Sequence, residues 1–157
     1  MADAGKPRLN AVHIDEESLA AISRDQEQER QIAIFDLLEQ NSFQPEGGDA
    51  GPYALVISLA DNRLVLDVAS QGYEHRHILS LTPFRPLIKD YFLVCESYHQ
   101  AIRQSTPAQI EALDMGRRSL HNEASELLRK RLKGKIETDA DTARRLFTLI
   151  CALHRRG

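Results

Sequence analysis

Tyr53, Leu55, Ile57 and Leu59 alternate with small or polar residues, and Leu64, Leu66 and Val68 resume the alternation after Asp61-Asn62. A period of two puts each set on one face of a strand. With Asp61-Asn62 as a two-residue turn, Leu59 meets Leu64, Ile57 meets Leu66 and Leu55 meets Val68. The opposite face then receives Ala60 with Arg63, Ser58 with Val65, and Val56 with Asp67. Turn chemistry and pattern agree, so an antiparallel hairpin is predicted in this register. A second turn at Gln71-Gly72 leads into Glu74–Leu81, where two registers compete. A two-residue turn puts Leu79 and Leu81 on the core face together with His75 and His77, and pairs Asp67 with Arg76. A turn one residue longer exposes both histidines. The first is preferred because two leucines outweigh Ile78. Upstream, residues 8–14 read as a short strand with Val12 and Ile14 on one face.

Elsewhere the apolar spacing is helical. Asp25 is placed as the cap of a helix to about Gln40. Its Ile32, Ile34, Phe35, Leu37 and Leu38 span more than half the circumference, which predicts cover on two sides. Asn41 to Pro52, rich in glycine and proline, reads as loop. Thr82 is expected to cap the next helix, with Pro83 in its first turn. Phe84, Leu87, Ile88, Tyr91, Val94, Cys95, Tyr98 and Ile102 form its broad stripe, and Leu93 points away from it. Thr106-Pro107 starts a long helix to about Lys133, stopped by Gly134. Asp139 or Asp141 caps the last helix, whose apolar face holds Ala143, Leu146, Phe147, Ile150 and Leu153. Strand, helix, meander and three helices make an α+β fold, a small antiparallel meander sheet packed by an N-terminal helix and three C-terminal helices. The expectation is one domain over residues 1–157: a loose tail to residue 7, strand, helix and meander over 8–81, and a helical half over 82–157.

Several segments carry a family likeness. They are residues 33–37 (Ala-Ile-Phe-Asp-Leu), 79–85 (Leu-Ser-Leu-Thr-Pro-Phe-Arg), 89–93 (Lys-Asp-Tyr-Phe-Leu), 110–118 (Ile-Glu-Ala-Leu-Asp-Met-Gly-Arg-Arg), 120–123, 132–136 and 141–151. In these the chain resembles the bacterial uncharacterised protein family UPF0262, from about Arg8 to Gly157. The resemblance implies no activity, cofactor or catalytic residue.

Composition adds limits rather than a function. At 42% hydrophobic and 27% charged, the chain is neither disordered nor membrane-like in composition. No apolar run suits a signal or a span, so a soluble cytoplasmic protein is expected. Cys95 and Cys151 form no CxxC pair and read as reduced core thiols. The net charge of −3 hides an asymmetry, since residues 1–104 are acidic and residues 105–157 basic. Basic residues gather at 129–135, at Arg144-Arg145 and at Arg155-Arg156. Such a half can track an anionic partner, or be the solvated face of its helices.

The long helix holds the richest cluster. Arg117 falls in the middle of its apolar stripe, with Asp114, His121 and Ser125 along one edge. A guanidinium there needs a partner, because an unpaired buried charge is costly. One reading is a structural ion pair with Asp114. The other is that Arg117, Arg118 and His121, joined by Arg85 and His99, hold a phosphate or carboxylate. Glu96-x-x-His99 has di-iron spacing without the second copy such sites need, and His75-Arg76-His77 lacks a third ligand, so no metal or cofactor is expected. Glycine-rich phosphate loops, nucleophile elbows and activated cysteines are missing, so no catalytic residue is assigned and the reading leans away from an enzyme. The first functional reading is a small non-enzymatic cytoplasmic protein acting through protein contact, self-association included. The second is a small-anion-binding domain or minor enzyme, and the third is nucleic-acid binding by the basic half. No membrane partner is expected.

Overall fold

The computed structural model of the chain describes residues 7–18 and 23–154. The predicted tail, up to Lys6, lies outside the described residues, as do Arg155 and Arg156. The elements run β1 (Leu9–Ile14), α1 (Arg24–Glu39), β2 (Phe43–Pro45), β3 (Tyr53–Ala60), β4 (Arg63–Ala69), β5 (Glu74–Ser80), α2 (Arg85–Gln104), α3 (Pro107–Leu132), β6 (Ile136–Thr138) and α4 (Ala140–His154), with a short 3-10 turn at Glu16–Ser18.

The hairpin forms as its alternation requires. Leu59 pairs with Leu64, Ile57 with Leu66, Leu55 with Val68 and Val56 with Asp67. Asp61 takes the left-handed conformation at φ 56°, which a short polar side chain tolerates. β5 takes the two-residue-turn register, Asp67 opposite Arg76 and Leu66 opposite His77. Arg76 Nε donates to Asp67 Oδ1 at 2.7 Å across that pair. The two histidines on the leucine side differ: His77 is buried, its Nε2 3.1 Å from the Tyr73 hydroxyl, whereas His75 near the sheet's end is exposed.

The sheet departs from the expected meander at its first strand. β1 adds to the edge of β3 in parallel, giving the order β1-β3-β4-β5 and a mixed sheet. Alternation carries no strand direction; the helix between β1 and β3 makes a crossover, and a crossover delivers a parallel neighbour. A register shift between Leu9 and Ala11 lets Leu9 and Ile14, an odd and an even position, both be buried. The predicted loop of residues 41–52 also hides a strand. Phe43, Gln44 and Pro45 pair antiparallel with Thr138, Glu137 and Ile136, a two-stranded sheet that ties the α1–β3 linker to the α3–α4 linker.

Helix ends follow local chemistry with two corrections. Ser23, not Asp25, caps α1: its hydroxyl accepts from the Gln26 N–H at 3.2 Å and the Gln26 side chain accepts from the Ser23 N–H at 3.1 Å. Asp25 lies within the first turn, where its charge suits the helix dipole. Thr82 does not cap α2. The helix starts at Arg85 after a turn in which the Phe84 and Arg85 N–H groups donate to the Leu81 carbonyl, and the Thr82 hydroxyl accepts instead from Asn62 on the hairpin turn at 2.6 Å. Thr106 and Gln109 form a capping box on α3, and Gly134 follows its C-cap at φ 85°. Asp139 caps α4, accepting from the Thr142 N–H at 2.8 Å.

One apolar core joins the leucine face of the sheet to Leu37 of α1, Leu128 and Leu132 of α3, and Leu146 and Phe147 of α4. The helix α2 enters it through Phe84 and Ile88 and then packs chiefly along α3. Ile102, assigned to its inner stripe, is exposed near the helix end. The expected second cover of α1 is not found among the described residues: Ala33 and Leu37 are buried, but Ile32 is 54% and Phe35 64% exposed. Among the described residues, no helix is long and apolar enough to cross a membrane.

Candidate functional site

Residues three, four and seven apart share one face of a helix. On α3 this spacing aligns Asp114, Arg117, Arg118 and His121; on α4 it aligns Asp141, Arg144, Arg145 and Thr148. The two sets have the same pattern, Asp-x-x-Arg-Arg-x-x and then a hydrogen-bonding side chain. Packing of α3 against α4 turns both toward one cleft of about 530 Å³, with Tyr91 of α2 at its wall.

The two halves use their charges differently. On α3, Asp114 accepts from both arginines, from Arg117 Nη2 on one oxygen and from Arg118 Nη2 at 2.6 Å on the other. Those bonds, Arg117 first, hold the Asp114 carboxyl below the usual range. The Arg117 guanidinium also lies 5.0 Å from the centre of the Tyr98 ring, and its Nε is buried without a hydrogen-bond partner among the described residues. On α4, Arg145 donates to the Gln40 carbonyl at the end of α1 at 3.1 Å. Neither Arg144 nor Arg145 has an ion-pair partner among the described residues. The cleft thus holds four guanidinium groups against the carboxylates of Asp114 and Asp141, and the two on α4 are the ones without an ion pair among the described residues.

His121 joins the halves. Its Nε2 lies 2.7 Å from Thr148 Oγ1, and Thr148 gives its own proton to the Arg144 carbonyl at 3.0 Å. The threonine can then only accept, which assigns the His121 proton to Nε2 and leaves Nδ1 an acceptor. The Ser125 hydroxyl, 3.4 Å from Nδ1, donates to the His121 carbonyl at 2.6 Å. The ring stands edge-on to Tyr91 and Phe147, with centroids 5.4 and 5.2 Å away. Burial, then the charges of Arg144 and Arg117, pull its pKa down to about 4. Burial likewise pushes the Tyr91 hydroxyl up to about 12, with Cys95 adding to the shift. Both groups are therefore neutral at pH 7. In a ¹H–¹³C titration the His121 ring signals stay constant from pH 8 to about pH 5.5 and move near pH 4; a midpoint near 6.5 would contradict this environment. A folded pKa below histidine's ordinary 6.5 means that the unfolded chain binds the extra proton first. The contribution of His121 to stability is complete above about pH 6.5 and disappears as pH falls toward 4.

The structure separates the other anticipated residues. Arg85 binds the Asn62 side chain at the hairpin turn and does not line the cleft. His99 lines a hollow of about 260 Å³ that adjoins the cleft and shares Tyr91, Arg117 and Thr148 with it. A larger depression of about 910 Å³ runs along the C-terminal half of α2 past Glu96, His99 and Arg103. None of the buried unpartnered polar atoms among the described residues lines it, so the smaller arginine cleft is the better candidate despite its size. Among the described residues, no three His, Cys, Asp or Glu side chains are grouped to hold a metal ion. The basic half is also dispersed: Arg129 donates to the Thr138 carbonyl at 3.1 Å, and Lys135 lines a separate hollow beside His75 and His77. Sequence reasoning missed Arg144, Arg145 and Thr148 as partners of the α3 cluster. The repeated Asp-x-x-Arg-Arg spacing, 27 residues apart, was the available signal.

Comparison with known proteins gives a consistent kinship. The family described as "Uncharacterised protein family (UPF0262)" matches residues 6–156. A UPF0262 protein of Phenylobacterium zucineum is 78% identical over 152 residues, covering 97% of this chain and 96% of that protein. One from Caulobacter vibrioides is 68% identical over 150 residues, covering 96% and 94%. One from Rhizobium etli is 56% identical over 156 residues, covering 98% and 99%. No solved structure matches the chain. With nearly full coverage at these identities, the chain belongs to the UPF0262 family.

Proposed function

We propose that the cleft between α3 and α4 binds a small anion, a phosphate or a carboxylate. One observation carries this reading: Arg144 faces the cleft with no ion-pair partner among the described residues, beside a histidine whose protonation it opposes. A guanidinium that shares no carboxylate can give its N–H groups to an oxyanion in a fixed, charge-assisted geometry. Arg117 and Arg118 are already shared with Asp114 and supply the opposite wall. His121 is a neutral wall of the cleft whose one N–H is committed to Thr148, and that tie holds the two helices together. A cytoplasmic setting belongs to this reading, because Cys95 and Cys151 form no disulfide, as suits a reducing compartment.

Titration of the ¹⁵N-labelled chain with inorganic phosphate and with acetate at constant ionic strength tests it. The expected result is a saturable shift of the Arg144 and Thr148 amides by at least one of the two anions, with the His121 midpoint rising as the bound charge offsets the arginines. The Arg144→Gln variant weakens that binding by about tenfold or more, as loss of a charge-assisted hydrogen bond implies. Shifts that grow linearly and are reproduced by chloride, or an affinity unchanged in Arg144→Gln, would overturn the proposal.

A second reading, contact with another protein or a second copy, is favoured by Ile32 and Phe35, one turn apart and both exposed on the outer face of α1. A chain that sediments as a monomer at every concentration and retains no protein in gentle affinity purification argues against it.

A further inference from the structure

We infer that the preferred ligand is an organic anion with its phosphate or carboxylate in the arginine cleft and a flat or aromatic group in the adjoining hollow. This rests on the anion-binding reading above and narrows it. The two spaces share three lining residues, Tyr91, Arg117 and Thr148, so a group held in one is next to the mouth of the other. Beyond the shared wall the character changes from guanidinium to ring and sulfur: Phe92, Tyr98, Cys95 and Cys151 line the hollow. Its volume of about 260 Å³ exceeds the ~150 Å³ cavity that suffices for benzene. Tyr98 already stacks a planar cation, and Tyr91 stands edge-on to His121, so both rings are held in place by contacts on the cleft side. Arg117 contributes to both spaces and keeps a buried Nε with no hydrogen-bond partner among the described residues.

Glu29 of α1 and His99 of α2 stand at the rim of the hollow, and Arg117 is its one arginine among the described residues. An uncharged ring placed against Phe92, Tyr98 and the two cysteines would lose water and gain contact. Neutral Tyr91, with its hydroxyl pushed up to about 12, keeps the boundary uncharged over the whole physiological range.

The test compares methyl phosphate with phenyl phosphate on the full chain by calorimetry at constant ionic strength. Both carry the same monoester head and differ in the group the hollow receives. Phenyl phosphate is expected to bind about tenfold tighter or more. Phe92→Ala should reduce that ratio to about twofold while leaving the methyl phosphate affinity nearly unchanged. Because Phe92 also packs on the core, Cys95→Leu, which fills the hollow instead of emptying it, gives an independent variant with the same expected loss. Equal affinities for the two esters overturn this inference and leave the anion site standing. If neither ester binds, the anion reading itself fails and this one falls with it.

Discussion

Replacing Phe147 with alanine lowers the unfolding free energy by about 3–5 kcal/mol, a large share of what holds a chain of this size together. The side chain is fully buried and lies where α4 meets both other helices of the helical half. Its ring contacts Tyr91 at 6.2 Å and His121 at 5.2 Å between centroids. Truncation removes the transfer energy of the ring and leaves a cavity behind the histidine. Because burial is the main cause that holds His121 near pKa 4, water entering that cavity moves its midpoint upward. The chain has no tryptophan, so far-ultraviolet circular dichroism in urea is the suitable readout. Phe147→Leu keeps most of the volume and loses less. A loss below about 1 kcal/mol for the alanine variant, with an unmoved His121, would mean that this packing is not what stabilises the helical half.

Asn41→Ala is expected to cost about 2–4 kcal/mol, although the residue stands between elements. Its side-chain oxygen accepts from the Leu9 N–H at 2.7 Å, and its amide donates to the Leu9 carbonyl at 3.1 Å and the Leu37 carbonyl at 2.9 Å. One side chain thus pairs both backbone groups of Leu9 and one of the last carbonyls of α1. Alanine leaves three backbone groups short of a partner beside two fully buried leucines. Asn41→Asp distinguishes this account from simple loop packing. It keeps the acceptor for Leu9 but removes both donations, and it adds negative charge at the C-terminal end of α1, where the dipole opposes it. The aspartate variant should therefore be nearly as unstable as the alanine variant at pH 7 in urea unfolding. Wild-type stability in either variant would refute the clamp.

These two residues illustrate how unevenly the structure can be read from the chain. Phe147 is apparent in the sequence because it recurs at helical spacing with Leu146 and Ile150, and a recurring apolar face has to be buried somewhere. Asn41 is not, because a side chain that satisfies backbone groups 32 positions away looks locally like any polar loop residue. The same division runs through the sheet. Alternation and the Asp61-Asn62 turn place the β3–β4 pairing residue by residue, since a shift by one position would turn three leucine-class pairs to solvent. The direction of β1 and the pairing of β2 with β6 depend on where the chain travels between them, and alternation does not encode that path. Ser23 and Thr82 show a smaller version: several residues in each segment could cap, and tertiary neighbours choose among them.

For the candidate site the amino-acid order settles which polar side chains share a helix face, because that depends only on the helical repeat. It therefore aligns Asp114, Arg117, Arg118 and His121, and equally Asp141, Arg144, Arg145 and Thr148. That these faces meet, that Asp114 takes both arginines of its own helix, and that Arg144 is left beside a neutral His121 came from the packing of α3, α4 and α2 on the core. The reason is energetic. Burial of the apolar stripes supplies most of the folding free energy and decides how the helices are oriented. Exposed polar pairs contribute about 0–1 kcal/mol each, too little to choose the arrangement that brings them together.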